Sequence, residues 1–178
     1  MRDVARGVCK DRLADAFERF GRVPIVRRTA AVGGDHPAFR RESEGPLWAS
    51  GGLVHDGLGR VLLIRHDPSL GWGDEWLTPG GWLEEGETTL DGLRREVREE
   101  IGIELSEPIL TRILLDVFTH EARTRPAYFA QFVARASSLD LQLATDVVEA
   151  RWFDELPARM AFREDYLEDL RRLRGGTF

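Results

Sequence analysis

The order of apolar and polar residues along the chain predicts helices alternating with strands. Apolar residues recur at helical spacing in three segments, which we predict to be amphipathic helices: 10–20, 88–101 and 162–173. Short β-branched or leucine-rich runs predict strands at 24–32, 47–56, 60–66, 110–119, 127–135 and 148–153. Strands, a central helix, further strands and a last helix indicate a mixed sheet covered by helices, in an α/β or α+β layered domain.

A segment rich in glycine, proline and charge separates the two parts of this pattern. Residues 33–46 read GGDHPAFRRESEGP, which predicts a loop or linker. We therefore expect an N-terminal extension over residues 1–46, containing a helix, an edge strand and this loop. The main domain is expected over residues 47–178.

Charge and cysteine content exclude several classes of protein. The 178-residue chain carries a formal charge of -6, which repels nucleic-acid phosphates, so we expect no nucleic-acid partner. Cys9 is the single cysteine, so there is neither an intrachain disulfide nor a cysteine-based zinc site, and a cytoplasmic location is expected. Charges interrupt the apolar residues near the N-terminus, so we expect no signal peptide and no membrane contact.

Three acidic residues crowd the end of the central predicted helix. Glu96, Glu99 and Glu100 lie at i, i+3 and i+4, so their carboxylates are neighbours and repel one another. The negative end of the helix dipole is also unfavourable for Glu99 and Glu100. A hard divalent cation with oxygen ligands would relieve both effects. The alternative is a solvated acidic face without a ligand.

The sequence around these glutamates resembles the Nudix box. That motif reads Gly, five residues, Glu, seven residues, Arg-Glu-aliphatic, one residue, Glu-Glu, one residue, Gly-aliphatic. It matches residues 81–103 at every specified position: Gly81, Glu87, Arg95, Glu96, Val97, Glu99, Glu100, Gly102 and Ile103.

The resemblance implies a fold and an activity. The fold is a Nudix-type α/β/α sandwich with a mixed central sheet, covering residues 47–178. The implied reaction is hydrolysis of a phosphoric anhydride in a nucleoside diphosphate derivative or nucleoside triphosphate, by attack of water on phosphorus. The implied cofactor is Mg²⁺ or Mn²⁺, and the partner is a small-molecule nucleotide substrate.

The resemblance also implies residue roles. Glu99 and Glu100 would bind the metal, and Glu96 would bind it too or orient and activate water. The Gly80 carbonyl would be a further ligand, while Glu87 and Arg95 would hold loop and helix in register. The expected catalytic residues are thus Glu96, Glu99, Glu87 and Arg95.

Further candidate site residues lie outside the Nudix box. Many Nudix enzymes take another acid from a loop before a late strand, for which Asp146 and Glu149 are candidates, and we place Asp146 among the metal ligands. Trp72 could stack on a base and Arg65 could contact phosphate, whereas we expect Trp76 to pack under its loop. Motifs outside the box do not identify the substrate.

Two other functions occur on the same fold. A non-hydrolytic Nudix module could sense a nucleotide or mediate a protein interaction, although such modules commonly lose box glutamates. Isopentenyl diphosphate isomerases share the fold but need a catalytic cysteine near the site, and Cys9 lies in the extension. The extension itself could be a lid or the arm of a homodimer.

Overall fold

The computed structural model describes residues 9–43, 45–71 and 73–178. Within them the chain forms an α/β fold. The helices are α1 Cys9–Phe20, α2 Pro37–Arg40, α3 Thr89–Ile101 and α4 Arg163–Arg174, with a 3-10 turn at Pro68–Leu70. The strands are β1 Ile25–Ala31, β2 Leu47–His55, β3 Val61–His66, β4 Gly80–Trp82, β5 Leu105–His120, β6 Arg123–Ala136 and β7 Val147–Phe153.

The strands described here form one mixed sheet. Its order is β1-β5-β6-β2-β3-β7, and the short strand β4 pairs with β2. Strand β1 runs parallel to β5, whereas β3 is antiparallel to both β2 and β7. The predicted α/β class with a mixed central sheet is therefore confirmed.

The described chain divides into two compact units. The first contains the described part of residues 1–50 together with 81–92 and 110–131. Its apolar cluster comprises Ala38, Leu47, Ala127, Trp82 and Phe118. Residues of the predicted extension thus belong to the same unit as part of the Nudix box.

The second unit contains residues 51–80, 93–109 and 132–178. Its cluster comprises Leu53, Val61, Leu63, Val133, Leu156, Met160, Tyr166 and Leu170, with Trp76, Phe153, Leu167 and Leu173 packed against it. The Trp76 ring meets Phe153 edge to face, with centroids 4.8 Å apart. Trp76 is therefore a packing residue, as the sequence predicts.

The helix predictions agree with the structure at three positions and fail at one. Residues 33–46, predicted as a loop or linker, contain the short helix α2. Pro37 supplies a favourable first helical residue, and the His36 ring nitrogen Nδ1 accepts a hydrogen bond from the Ala38 N–H at 3.2 Å. A single capped turn of this kind is too short to give a periodic pattern.

The strand predictions locate the strands but not their full lengths. Strands β5 and β6 have 16 and 14 residues, longer than predicted. Strand β4 was not predicted, since a Gly-Gly-Trp segment has no alternating pattern. No helix among the described residues is long and apolar enough to cross a membrane.

Candidate active site

Helix α3 carries the clustered glutamates, and local hydrogen bonds determine where it starts and ends. The Thr88 hydroxyl donates to the Asp91 carboxylate at 2.7 Å and accepts from the Asp91 N–H at 3.1 Å. At the other end Gly102 has a φ of +71°, the left-handed conformation that glycine adopts readily. Both ends of the helix are thus defined by the residues of the motif region.

Arg95 lies between two of the three glutamates. Its Nη1 atom is 3.0 Å from Glu96 Oε1 and 3.0 Å from Glu99 Oε2. The Glu99 side chain is 60% exposed, whereas the Glu96 side chain is largely buried. Arg95 thus supplies positive charge to these two glutamates from the same helix.

Glu100 points away from this pair into a buried position. The Glu100 side chain is only 9% exposed, and its Oε1 atom lies 3.1 Å from His66 Nε2. The Gly80 N–H donates to Oε2 at 3.0 Å. The structure therefore brings together Gly80 and Glu100, two of the predicted metal ligands.

Burial changes the protonation of this site. Desolvation raises the pKa of Glu96, and the neighbouring Glu100 and Glu99 add to the effect, while Arg95 opposes it. Desolvation likewise raises the pKa of Glu100, against the opposing hydrogen bonds from His66 and Gly80. The hydrogen bond to Glu100 in turn raises the pKa of His66.

The structure distinguishes the two candidate acids near β7. Asp146 is 53% exposed, and its Oδ2 lies 3.9 Å from His66 Nδ1, on the ring that also contacts Glu100. Glu149 is instead held by two arginines, at 2.6 Å from Arg65 Nη2 and 2.5 Å from Arg151 Nη2. The geometry favours Asp146 as the additional ligand, which stays a prediction.

Of the two predicted substrate residues, the structure describes Arg65 but not Trp72. Arg65 forms ion pairs with Glu149 and Asp74, and its guanidinium lies 5.2 Å from the centroid of the Trp76 ring. Phosphate would have to compete with those carboxylates for Arg65. Trp72 lies outside the described residues, so both substrate roles stay predictions.

Glu87 belongs to the turn that precedes α3. Its Oε2 accepts from the Glu84 N–H at 2.7 Å, and its own N–H donates to the Glu84 carbonyl at 3.3 Å. Arg12, from the N-terminal extension, donates to the Glu87 carbonyl at 3.0 Å and to the Glu84 carbonyl at 2.7 Å. The predicted pairing of Glu87 with Arg95 stays a prediction.

Gly92 lies on helix α3 one turn before Glu96 and packs closely against its surroundings. A Cβ added to Gly92 would lie 2.0 Å from Leu83 Cδ2 and 3.3 Å from Ser50 Oγ. The space above Gly92 is filled by the Leu83 side chain, so the glycine allows close packing.

Two residues near the predicted site were not found by sequence reasoning. His66 was one of four scattered histidines without a metal-binding spacing, and Arg12 was one of many arginines. His66 lies beside Glu100, and Arg12 supports the turn before α3. Their partners are distant along the chain, so no local pattern indicates them.

The donor set fits a hard divalent cation by its chemistry. Glu96, Glu99 and Glu100 lie on one helix and present carboxylate oxygens, the ligands that such cations prefer. Among the side chains that the structure describes, no three from acidic, histidine or cysteine residues converge to hold a metal. The Arg95 guanidinium lies between Glu96 and Glu99, so it would compete with a cation for these carboxylates.

The chain also matches a known family. Residues 45–169 match the model of the NUDIX domain. Among solved structures, a MutT NUDIX hydrolase from Burkholderia pseudomallei superposes with a TM-score of 0.56 and 25% identity, covering 70% of this chain and 98% of that one. A NUDIX hydrolase from Nitrosomonas europaea gives a TM-score of 0.55 at 23% identity, covering 75% and 73% of the two chains.

Curated relatives match over shorter segments. A Bacillus subtilis Nudix hydrolase, YvcI, is 45% identical over 51 residues, which is 29% of this chain and 30% of that protein. The 8-oxo-dGTP diphosphatase of Proteus vulgaris is 33% identical over 75 residues, 42% of this chain and 63% of that protein. The chain thus spans between about a third and two thirds of these relatives. The domain match, which covers most of the chain, shows that this protein belongs to the NUDIX family.

Proposed function

We propose that this protein is a divalent-cation-dependent pyrophosphohydrolase acting on a nucleotide. The observation that carries the proposal is the arrangement of Glu96, Glu99 and Glu100 on helix α3, with the Gly80 backbone against Glu100. A phosphoric anhydride is anionic and inert, so its hydrolysis needs positive charge at the phosphate oxygens and a positioned water. The clustered carboxylates are suited to bind a divalent cation that supplies this positive charge.

The proposed roles follow from burial and contacts. Glu99 is exposed and Glu100 is fixed by Gly80 and His66, which suits them as ligands of Mg²⁺ or Mn²⁺, together with the Gly80 carbonyl and Asp146. When bound, the cation supplies charge neutralisation and a more acidic water. Burial raises the pKa of Glu96, which suits it to orient water or accept its proton.

The substrate is proposed at the level of class. A nucleoside triphosphate or nucleoside diphosphate derivative fits the proposed chemistry. The matched relative from Proteus vulgaris is an 8-oxo-dGTP diphosphatase, which makes oxidised purine triphosphates the first group to assay. Arg65 and Trp72 stay the proposed contacts for phosphate and base.

The test is a panel of nucleoside triphosphates and nucleoside diphosphate derivatives, with Mg²⁺, with Mn²⁺ and with chelator. We expect cation-dependent release of a phosphate product, and Glu99→Gln to lower kcat/KM by on the order of 100-fold, because charge stabilisation in the transition state is lost. Glu104→Gln is the matched control, since Glu104 is an exposed acid that pairs with Arg98 just beyond the helix.

Failure of the panel would favour the second candidate, a nucleotide sensor or interaction module. If wild type binds nucleotides yet releases no product with either cation, the hydrolase proposal is wrong. Equal loss of activity in Glu99→Gln and Glu104→Gln would contradict the role assigned to Glu99. We also propose a cytoplasmic location and a homodimer, to be tested by cell fractionation and by light scattering.

A further inference from the structure

The helix α1 of the N-terminal extension buries a charged side chain against the turn that precedes α3. Arg12 is 5% exposed, although arginine is almost never so buried unless its donors are satisfied. Nε donates to the Glu87 carbonyl at 3.0 Å and Nη2 to the Glu84 carbonyl at 2.7 Å. One planar guanidinium therefore links two carbonyls of the same turn.

The turn that Arg12 contacts is already closed on itself. The Glu84 N–H donates to the Glu87 carboxylate, the Glu87 N–H donates to the Glu84 carbonyl, and Gly86 has a φ of +79°. The Leu83 N–H is fixed to the Trp48 carbonyl at 2.8 Å. Arg12 adds contacts to this set from a residue before 45, where the family match begins.

The position of this turn determines where α3 begins. Thr88 directly follows Glu87 and caps the helix through Asp91. Helix α3 runs unbroken from this turn over 13 residues and carries the glutamates. A contact that fixes the turn therefore constrains the start of the helix that presents them.

We propose that Arg12 is a positioning residue for catalysis, through which the N-terminal extension holds the turn at 83–88 and the start of α3 in place. This rests on the proposed hydrolase function. The extension would then stabilise the turn within its own chain. This role differs from that of a lid over the site or of an arm that forms a homodimer. Nothing in the proposal requires Arg12 to touch substrate or metal.

The test compares variants on the same helix. Arg12→Met removes both hydrogen bonds while keeping an apolar stem, and leaves the two carbonyls without these donors. Arg12→Lys keeps the positive charge but loses the planar guanidinium that donates to both carbonyls. Arg19→Met is the matched control, because Arg19 is an exposed arginine of α1 that pairs with Asp15 one turn away.

We expect Arg12→Met to lower kcat/KM by roughly 10- to 100-fold, as loss of a supporting contact commonly does, with Arg12→Lys between it and wild type. Arg19→Met should match wild type. Amide hydrogen exchange at Glu84 and Glu87 should quicken in Arg12→Met, and calorimetry should show weaker Mg²⁺ binding. All assays are made well below the unfolding transition of each variant.

Several results would overturn the proposal. If Arg12→Met unfolds at a lower temperature but keeps wild-type kcat/KM and Mg²⁺ affinity, Arg12 contributes only to stability. Unchanged exchange at Glu84 and Glu87 would show that the turn does not need Arg12. If wild type hydrolyses no nucleotide, only the hydrolase proposal is wrong. The amide hydrogen exchange and Mg²⁺ binding of the variants still decide whether Arg12 positions the helix.

Discussion

Individual residues in this protein are constrained by neighbours that are distant in sequence. The contrast between Glu99 and Glu100 shows this, because the sequence places both in the same unfavourable position at the end of a helix. In the structure Glu99 meets Arg95 at the surface, whereas Glu100 is buried against Gly80 and His66. Substitution of Glu100 therefore removes structural contacts, which makes Glu99 the better position for testing chemistry.

Gly52 provides a stability prediction at this scale. A Cβ at this position would lie 1.9 Å from the Phe132 carbonyl oxygen, and this backbone atom cannot rotate away. We expect Gly52→Ala to lower the free energy of unfolding by about 3 kcal/mol or more, since overpacking against backbone is at the severe end of such effects. Urea unfolding followed by circular dichroism measures it.

The control for this prediction is Gly45→Ala. A Cβ on Gly45 would meet nothing within 4 Å. We expect its stability to stay within about 0.5 kcal/mol of wild type, as for other surface changes. A Gly52→Ala protein as stable as the Gly45→Ala protein would show that strands β2 and β6 do not approach each other as closely as described.

At the scale of elements, the β2–β3 hairpin is closed by a buried carboxylate. Asp56 has a fully buried side chain that accepts hydrogen bonds from the Leu58 N–H at 2.8 Å, the Arg60 N–H at 3.1 Å and Arg60 Nε at 2.7 Å. Burial alone would raise the pKa of Asp56, but the hydrogen bonds from Arg60 and Leu58 outweigh it and hold the pKa below its ordinary value.

This hairpin gives a pH-dependent prediction. Because its pKa is lower in the folded state, ionised Asp56 stabilises the fold above its unfolded pKa, near pH 4, and the contribution is lost as the pH falls through the folded pKa. We expect Asp56→Asn to cost about 1–2 kcal/mol at neutral pH and progressively less in acid. Urea unfolding over a pH series measures the difference, and a constant difference would contradict it.

The elements also show where sequence patterns stop being informative. Helix α3 was predicted because its apolar residues recur at helical spacing, and in the structure the Thr88 cap and the terminal Gly102 agree with that pattern. Helix α2 was missed because one capped turn has no periodicity, and β4 was missed because three residues of pairing leave no alternation. Short elements depend on their neighbours for stability, so their own residues do not predict them.

At the scale of the whole molecule, binding of a cation to the folded state should stabilise it. At a Mg²⁺ concentration ten times its Kd, mass action adds about 1.4 kcal/mol to the free energy of unfolding. For a chain of this size that corresponds to a rise in Tm of roughly 3–6 °C. Differential scanning calorimetry with Mg²⁺ and with chelator measures the shift.

The variants already described sharpen this prediction. In chelator, Glu99→Gln should lie within about 0.5 kcal/mol of wild type, because an exposed i,i+4 ion pair contributes little. With Mg²⁺ it should lose most of the stabilisation that wild type and Glu104→Gln retain. Equal shifts in all three proteins would show that Mg²⁺ acts elsewhere on the molecule.

The sequence by itself determined the family and the helix that carries the three glutamates, because the box residues and the helical periodicity lie within one short segment. The order of periodic segments along the chain determined the α/β class. Only the tertiary structure decided which side chains meet that helix. His66 approaches Glu100, and Arg12 approaches the turn at Glu84 and Glu87. Such contacts depend on how strands and helices pack over long separations, and that information is not contained in any one stretch of sequence.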